Sequence, residues 1–289
     1  MKHLFIIWLS LSYVFCCQAQ QKYAFIVAIA NYPKGSGWGV IHSNNDLQML
    51  RPQFERLNFH IITLADKQAS KKNILQALQC LIRQLKAGDD VCLHFSCHGQ
   101  QMEDDNNDEA DGLDEALIPY DAQFTYKKGI YEGENHLRDD ELEKYLTCIR
   151  QKIGRDGSVL VTFDACHSGT ANRIEEYVED DDAPIRGTSA IFSSNPFYIA
   201  PDKKQVERKT RLMQQSGLSP ICVISACQPF QRNFEIKVGN NYYGTLSYSF
   251  YKVLEEIDKW DVSYYPKIWE QAKSLSSRQI PMIESSYTF

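Results

Sequence analysis

Two short stretches carry side chains that could do chemistry on one another. Cys97-His98-Gly99 closes the apolar run 91–96, and Asp164-Ala165-Cys166-His167-Ser168-Gly169 closes the apolar run 158–163. A thiol becomes a strong nucleophile when a nearby imidazole takes its proton, because the thiolate is the reactive species. Cys166 is therefore a candidate nucleophile and His98 its candidate proton acceptor. Gly99 lets the backbone turn sharply, so that the amide N–H groups of Gly99 and Cys166 can face the oxyanion that develops on an attacked carbonyl. The chemistry is acyl transfer. His167 is a competing imidazole, but the residue next to the thiol rarely has the backbone freedom to present its ring to that thiol, and a role in turn structure is expected. Taken singly, each residue has an ordinary role, a histidine as a strand-end hydrogen-bonder and a cysteine as core filling. Only their juxtaposition makes a site.

The elements that must supply it can be read from periodicity. Residues 23–30, 60–64, 90–97, 158–163 and 221–226 read as strands, with a short further strand at 116–119. Helical spacing appears at 45–57, from a Ser70 cap to a stop at Gly88, at 139–149, 246–257 and 265–275. Strands alternating with helices imply an α/β fold, a mostly parallel sheet of about six strands sandwiched between helices. Such sheets bind ligands beyond the carboxyl ends of their strands, where both His98 and Cys166 stand. A nucleotide-binding fold would share the alternation, but the loop after the first strand, 31–37, lacks both Gly-rich phosphate patterns.

The first residues are expected to be removed. Lys2 and His3 precede an apolar run to Phe15 and a small residue at Ala19, so 1–19 reads as a secretory signal peptide and 20–289 as one large α/β domain. The expected location is extracytoplasmic, periplasmic or secreted. A lipoprotein anchor at Cys16 or Cys17 is disfavoured because bulky Phe15 and Cys16 stand where small residues are needed. No other stretch is apolar over the ~20 residues of a membrane span, so no transmembrane anchor is expected in the mature chain. The composition, 43% hydrophobic and 24% charged, is globular, and a net charge of −6 argues against a nucleic-acid partner. Nine cysteines fall to seven without the leader, an odd number with no paired CxxC spacing, which argues against a zinc site.

With these residues in view, a resemblance emerges. The stretch 94–99, His-Phe-Ser-Cys-His-Gly, resembles the caspase-clan histidine motif, and 163–169, Phe-Asp-Ala-Cys-His-Ser-Gly, is similar to the metacaspase nucleophile motif. The segments 43–46, 111–122 and 224–228 resemble further family segments in the same order, so the likeness spans nearly all of the mature chain. Cys97 stands where the family has Gly, which is expected to crowd the histidine turn.

The resemblance implies a caspase–hemoglobinase fold and a cysteine endopeptidase using a Cys166–His98 dyad through an acyl-enzyme. It places Ser43, Asp46, Ser96 and Asp164 around the primary substrate pocket. Two carboxylates there would suit protein or peptide substrates with Arg or Lys before the cut. The alternative is a catalytically silent caspase-like binding module, and a monomer is expected in either case. No cofactor is required by this reading. Calcium is doubtful: Asp114, Asp139 and Asp140 resemble three carboxylates of the family's calcium site, but Arg173 replaces the fourth acid. Finally, 170–220 reads as a long linker or lid loop beside the nucleophile. An enzyme with a basic-preferring pocket would be able to cut this linker itself, after Arg186, where Gly187 follows in an expected flexible context, or at Lys204.

Overall fold

The computed structural model describes residues 20–106, 112–166, 183–198, 217–229 and 231–287. The expected leader, His167, Arg173 and Lys204 lie outside them. In chain order the strands are β1 (Lys22–Ala28), β2 (His60–Ala65), β3 (Asp90–Ser96), β4 (Gly99–Glu103), β5 (Leu113–Leu117), β6 (Leu137–Arg138), β7 (Ser158–Asp164), β8 (Ile221–Ser225), β9 (Glu235–Val238), β10 (Asn241–Gly244) and β11 (Met282–Ser285). The helices are α1 (Ser43–Arg56), α2 (Lys71–Gln84), α3 (Asp139–Ile153), α4 (Thr245–Glu256) and α5 (Tyr265–Leu275).

Six strands form the central sheet in the order β11-β8-β7-β3-β1-β2, parallel except for β11. The strands β1, β3, β7 and β8 are buried on both faces, which is why they read as continuous apolar runs. Alternate residues divide between two cores. Phe25, Val27, Leu93 and Val161 face α2 and α3, whose Ile74, Leu78, Leu81, Leu142, Leu146 and Ile149 recur at three- and four-residue spacing. Ala24, Ile26, Leu160 and Ile224 face α1, α4 and α5 through Leu50, Phe54, Leu246, Phe250 and Ile268. Ser70 caps α2, its Oγ accepting from the Asn73 N–H at 3.3 Å, a contact worth about 1 kcal/mol.

The sixth strand differs from the expected one. The segment near 116–119 belongs instead to a separate three-stranded antiparallel sheet, β4-β5-β6, while β11 completes the main sheet as an antiparallel edge. An edge strand of four half-buried residues has no sustained apolar run to announce it. The chain leaves β1 through α1 to β2 on one side, then returns through α2 to β3 on the other. This reversal opens a crevice at the carboxyl ends of β1 and β3. Among the described residues, no helix is long and apolar enough to cross a membrane.

Candidate active site

The register of β3 against β7 pairs Ser96 with Asp164, so His98 and Cys166 each follow two residues beyond neighbouring strand ends. His98 is 4% exposed. The loop after β1 wraps it: Trp38 stacks on the imidazole with ring centres 5.0 Å apart, Tyr32 lies at 5.2 Å, and His98 Nε2 lies 2.9 Å from the Gly39 carbonyl oxygen. An N–H at Nε2 is the form that can donate to a carbonyl, which leaves Nδ1 as the acceptor, and Nδ1 is buried without a hydrogen-bond partner. Burial lowers the His98 pKa to about 4, outweighing the opposing hydrogen bond to Gly39, so the ring is neutral at pH 7 and able to accept a proton. Cys97 is buried in the apolar cluster beneath α2 and α3, so the crowding expected of it is met by packing into the core.

Cys166 is buried, and its thiol donates to the Gln231 carbonyl at 3.0 Å. Cys227, from the end of β8, shares that carbonyl at 3.4 Å and hydrogen-bonds to Cys166. No disulfide links the seven described cysteines. The Cys166 backbone N–H donates to the Arg186 carbonyl at 2.7 Å. Gly187 lies against the nucleophile so closely that a Cβ there would collide with the Cys166 carbonyl and stand 2.7 Å from Cys166 Cβ and 2.9 Å from the Gly99 carbonyl oxygen. The Arg186–Gly187 peptide therefore lies between Cys166 and Gly99, its carbonyl on the nucleophile's own N–H.

Arg186 was expected in a flexible linker, and here the structure differs. Its side chain is fully buried. Nη1 lies 2.7 Å from Asp46 Oδ2, donates to Ser96 Oγ at 2.7 Å, and stands 3.7 Å from Asp164 Oδ2. Nε and Nη2 both donate to Glu235 Oε1, at 3.1 and 2.9 Å. A buried guanidinium needs such company, since an unpaired one would cost several kcal/mol of desolvation. Three of the four expected pocket residues thus meet around one cation. The fourth, Ser43, lies one turn before Asp46 on the same helix face, buried, with its Oγ unpartnered.

The carboxylates are fixed from outside the motifs. Asp46 accepts from Ser96 Oγ at 2.8 Å and from the Gly244 N–H at 3.0 Å. Asp164 accepts from Asn233 Nδ2 and from both the N–H and Oγ of Ser247, each at 2.7 Å. Burial pushes Asp46 up to about 6, with Arg186 acting against it. Burial would also raise Asp164, but Arg186 and then the Asn233 and Ser247 hydrogen bonds more than offset it, and its pKa is lowered. The segment entering the pocket is bound along its backbone as well. The Arg186 N–H donates to the Asn233 carbonyl at 2.9 Å, the Glu235 N–H donates to the Pro184 carbonyl at 2.9 Å, and Ile185 bridges Phe234 in antiparallel fashion. This is the way an extended peptide adds to a strand edge.

Glu235, Asn233, Ser247 and Gly244 were not found from sequence. The β9–β10 hairpin that carries two of them did leave a signal, since Gly239-Asn240 between Val238 and Asn241 is a two-residue hairpin turn with Gly239 at φ 61.

The three expected metal carboxylates do not converge. Asp114 is ion-paired with Arg138, Arg138 also approaches Asp105 at 3.4 Å, and Asp140 accepts from Asn106 Nδ2 at 2.5 Å. Among the described residues no three acidic, histidine or cysteine side chains are grouped to hold a metal ion, and a guanidinium already neutralises Asp114.

Residues 23–174 match the metacaspase, peptidase C14 domain family. Metacaspase-2 of Arabidopsis thaliana is 30% identical over 76% of this chain and 54% of its own length. Metacaspase-1 of Plasmodium falciparum is 31% identical over 64% of this chain and 29% of its own. The chain thus spans about half or less of these relatives. Among solved structures, a protein of Geobacter sulfurreducens superposes with a TM-score of 0.63 at 21% identity, covering 93% of this chain and 94% of that one. Caspase-1 of Spodoptera frugiperda does so with 0.53 at 12%, covering 92% and 86%, and at these identities both likenesses are to the fold.

Proposed function

The chain belongs to the metacaspase, peptidase C14 family, and from that premise we propose that it is a cysteine endopeptidase cutting on the carboxyl side of Arg or Lys. The observation that carries this reading is Arg186, whose guanidinium fills a pocket of buried carboxylates while its carbonyl rests on the Cys166 N–H. A substrate arginine would be held in the same manner. Its carbonyl carbon would lie beside the thiol, and the oxyanion formed on attack would be stabilised by the Cys166 N–H and that of Gly99.

In the proposed cycle the Cys166 thiol turns from the Gln231 carbonyl and passes its proton to His98 Nδ1, while Nε2–H stays on the Gly39 carbonyl and fixes the tautomer. Sγ attacks the carbonyl carbon, the C–N bond breaks, and the imidazolium returns the proton to the leaving amine. Water then enters, gives a proton to His98, and releases the acid from the thioester. The same chemistry on the chain itself would cut between Arg186 and Gly187. A calcium requirement is not part of the proposal, because Arg138 already supplies positive charge to Asp114.

Intact-mass analysis and peptide substrates test the reading together. Wild-type protein should yield a fragment ending at Arg186 and should hydrolyse peptides carrying Arg or Lys before the cut. Cys166→Ala should stay whole and inactive, and His98→Ala should lose ~10²–10⁴-fold in rate. Turnover by purified Cys166→Ala, or cleavage after Asp with none after Arg or Lys, would overturn it. A folded wild-type protein inert toward all three would favour a silent binding module.

A further inference from the structure

We propose that Glu235 makes the primary pocket selective for arginine over lysine, an inference that rests on reading the Asp46–Asp164 pocket as the primary substrate pocket. The guanidinium of Arg186 presents two separate faces to the protein. Its Nη1 end meets Asp46 Oδ2 and Ser96 Oγ, both at 2.7 Å. Its Nε–Nη2 edge meets Glu235 Oε1, at 3.1 and 2.9 Å. Asp46 and Asp164 stand at the floor and would answer any cation. Only a group with a second edge can meet Glu235 at the same time.

Lysine lacks that edge. Its ammonium is one compact nitrogen on a flexible stem, with nothing at the position of Nε. Set on Asp46 and Ser96, it leaves Glu235 without its cation; set on Glu235, it leaves Asp46 without one. Either choice leaves a buried carboxylate short of its cation, since Asp46 is fully buried and Glu235 is 3% exposed. Taking a partner from a buried polar group rejects a ligand more strongly than a missing methylene does.

Glu235 is also held for this task. The His42 N–H donates to Oε1 at 2.7 Å, and His42 Nδ1 lies 2.5 Å from Oε2, which fixes both carboxylate oxygens. Its own N–H accepts no change of position, because it is bonded to the Pro184 carbonyl two residues before Arg186. The strand edge that binds the incoming backbone therefore carries the carboxylate that reads the side chain. His42 immediately precedes α1, the helix that supplies Asp46, so the two acidic walls of the pocket are tied together.

The test is kcat/KM on two peptides that differ only in Arg or Lys before the cut, for wild type, Glu235→Gln and Glu235→Asp. Wild type should prefer Arg by about 10–100-fold, the worth of one or two hydrogen bonds to charged groups. Glu235→Gln should cut that ratio at least threefold, with the loss falling on the Arg peptide. Glu235→Asp keeps the charge while withdrawing the acceptor by one methylene, and it should lower the ratio even where the Gln variant fails to fold. Within the chain, Arg186→Lys should be self-cut more slowly than wild type by a similar factor. Equal rates on the Arg and Lys peptides in wild type, or an unchanged ratio in a folded Glu235 variant, would overturn the role of Glu235 while leaving a basic-specific pocket in place. Failure of wild type on both peptides would instead remove the pocket reading on which it rests.

Discussion

At the scale of the residue, two buried groups should divide the acid side of the pH profile between binding and chemistry. Asp46, raised to about 6, must be ionised to hold a cationic side chain, whereas His98, lowered to about 4, must be neutral to accept the thiol proton. Both forms dominate at pH 7. As pH falls through about 6, KM for an Arg peptide should rise, while kcat should hold until pH approaches about 4. Once Arg186 leaves the pocket, the cation that lowers Asp46 is gone, so the KM limb should lie at 6 or above. Initial rates between pH 4 and 8 check this, and Asp46→Asn should remove the KM limb; kcat and KM failing together would count against the division. His98, Cys166, Asp46, Ser96 and Asp164 were all legible, because each sits in or beside a motif at a strand end or first helical turn. Glu235 was not, because its partner was the very arginine that the sequence placed in an exposed linker. Nothing in an acidic or basic letter says that it will be desolvated.

At the scale of the element, the β9–β10 hairpin is the part of the pocket most sensitive to a small change. Gly244 ends β10, and a Cβ there would collide with Asp164 Oδ2 and stand 2.5 Å from Arg186 Nη1. Its conformation is not the reason for glycine, since it carries φ −65, an ordinary value for any residue. Space is the reason. Gly244→Ala should therefore destabilise the fold by about 1–3 kcal/mol, the usual cost of overpacking, and should reduce cleavage after Arg at least tenfold. Urea unfolding and peptide kinetics measure the two effects; full activity with normal stability would mean that the hairpin moves freely away from the pocket. The long elements were read from sequence because a periodic apolar face repeats over several turns or a whole buried strand. The hairpin and β11 were missed because four-residue strands with half-exposed residues repeat nothing. On the proposed reading, the short elements would hold the specificity.

At the scale of the whole molecule, the sheet encloses more imidazole than catalysis uses. His94 is fully buried between Thr162 Oγ1 at 2.7 Å and Ser247 Oγ at 3.1 Å, and His136 between the Tyr131 hydroxyl at 2.7 Å and Gln100 Oε1 at 3.0 Å. Burial lowers the first to about 4 and the second to about 3, and His98 to about 4. A lowered histidine pKa means that the unfolded chain binds the extra proton first. The stability each neutral ring contributes is thus present above about pH 6.5 and is lost as pH falls toward the folded value. Asp46 and Asp90, both raised by burial, run the other way, while Asp66 and Asp164, both lowered, lose stability with falling pH as the rings do. The melting temperature should fall between pH 7 and pH 4.5, and His94→Gln, which keeps hydrogen-bonding capacity without a titrating ring, should flatten the decline. A Tm independent of pH over that range would contradict the assignment of neutral buried rings.

The arginine seated in the pocket also has a bearing on how the protein meets other substrates. A ligand carried on the same chain is present at an effective concentration in the millimolar range for a short flexible connection, whatever the protein's own dilution. A free peptide offering the same guanidinium must compete with that standing concentration, so its half-saturation point reflects the tether as much as the pocket. Cutting between Arg186 and Gly187 would change the competition without changing any pocket contact. The occupant would then be held from one side only, and it would also carry a new carboxylate against the nucleophile's N–H. The balance between an occupied and a vacant pocket would thereby be set by chain connectivity, a quantity that one broken peptide bond would reset for the lifetime of the molecule.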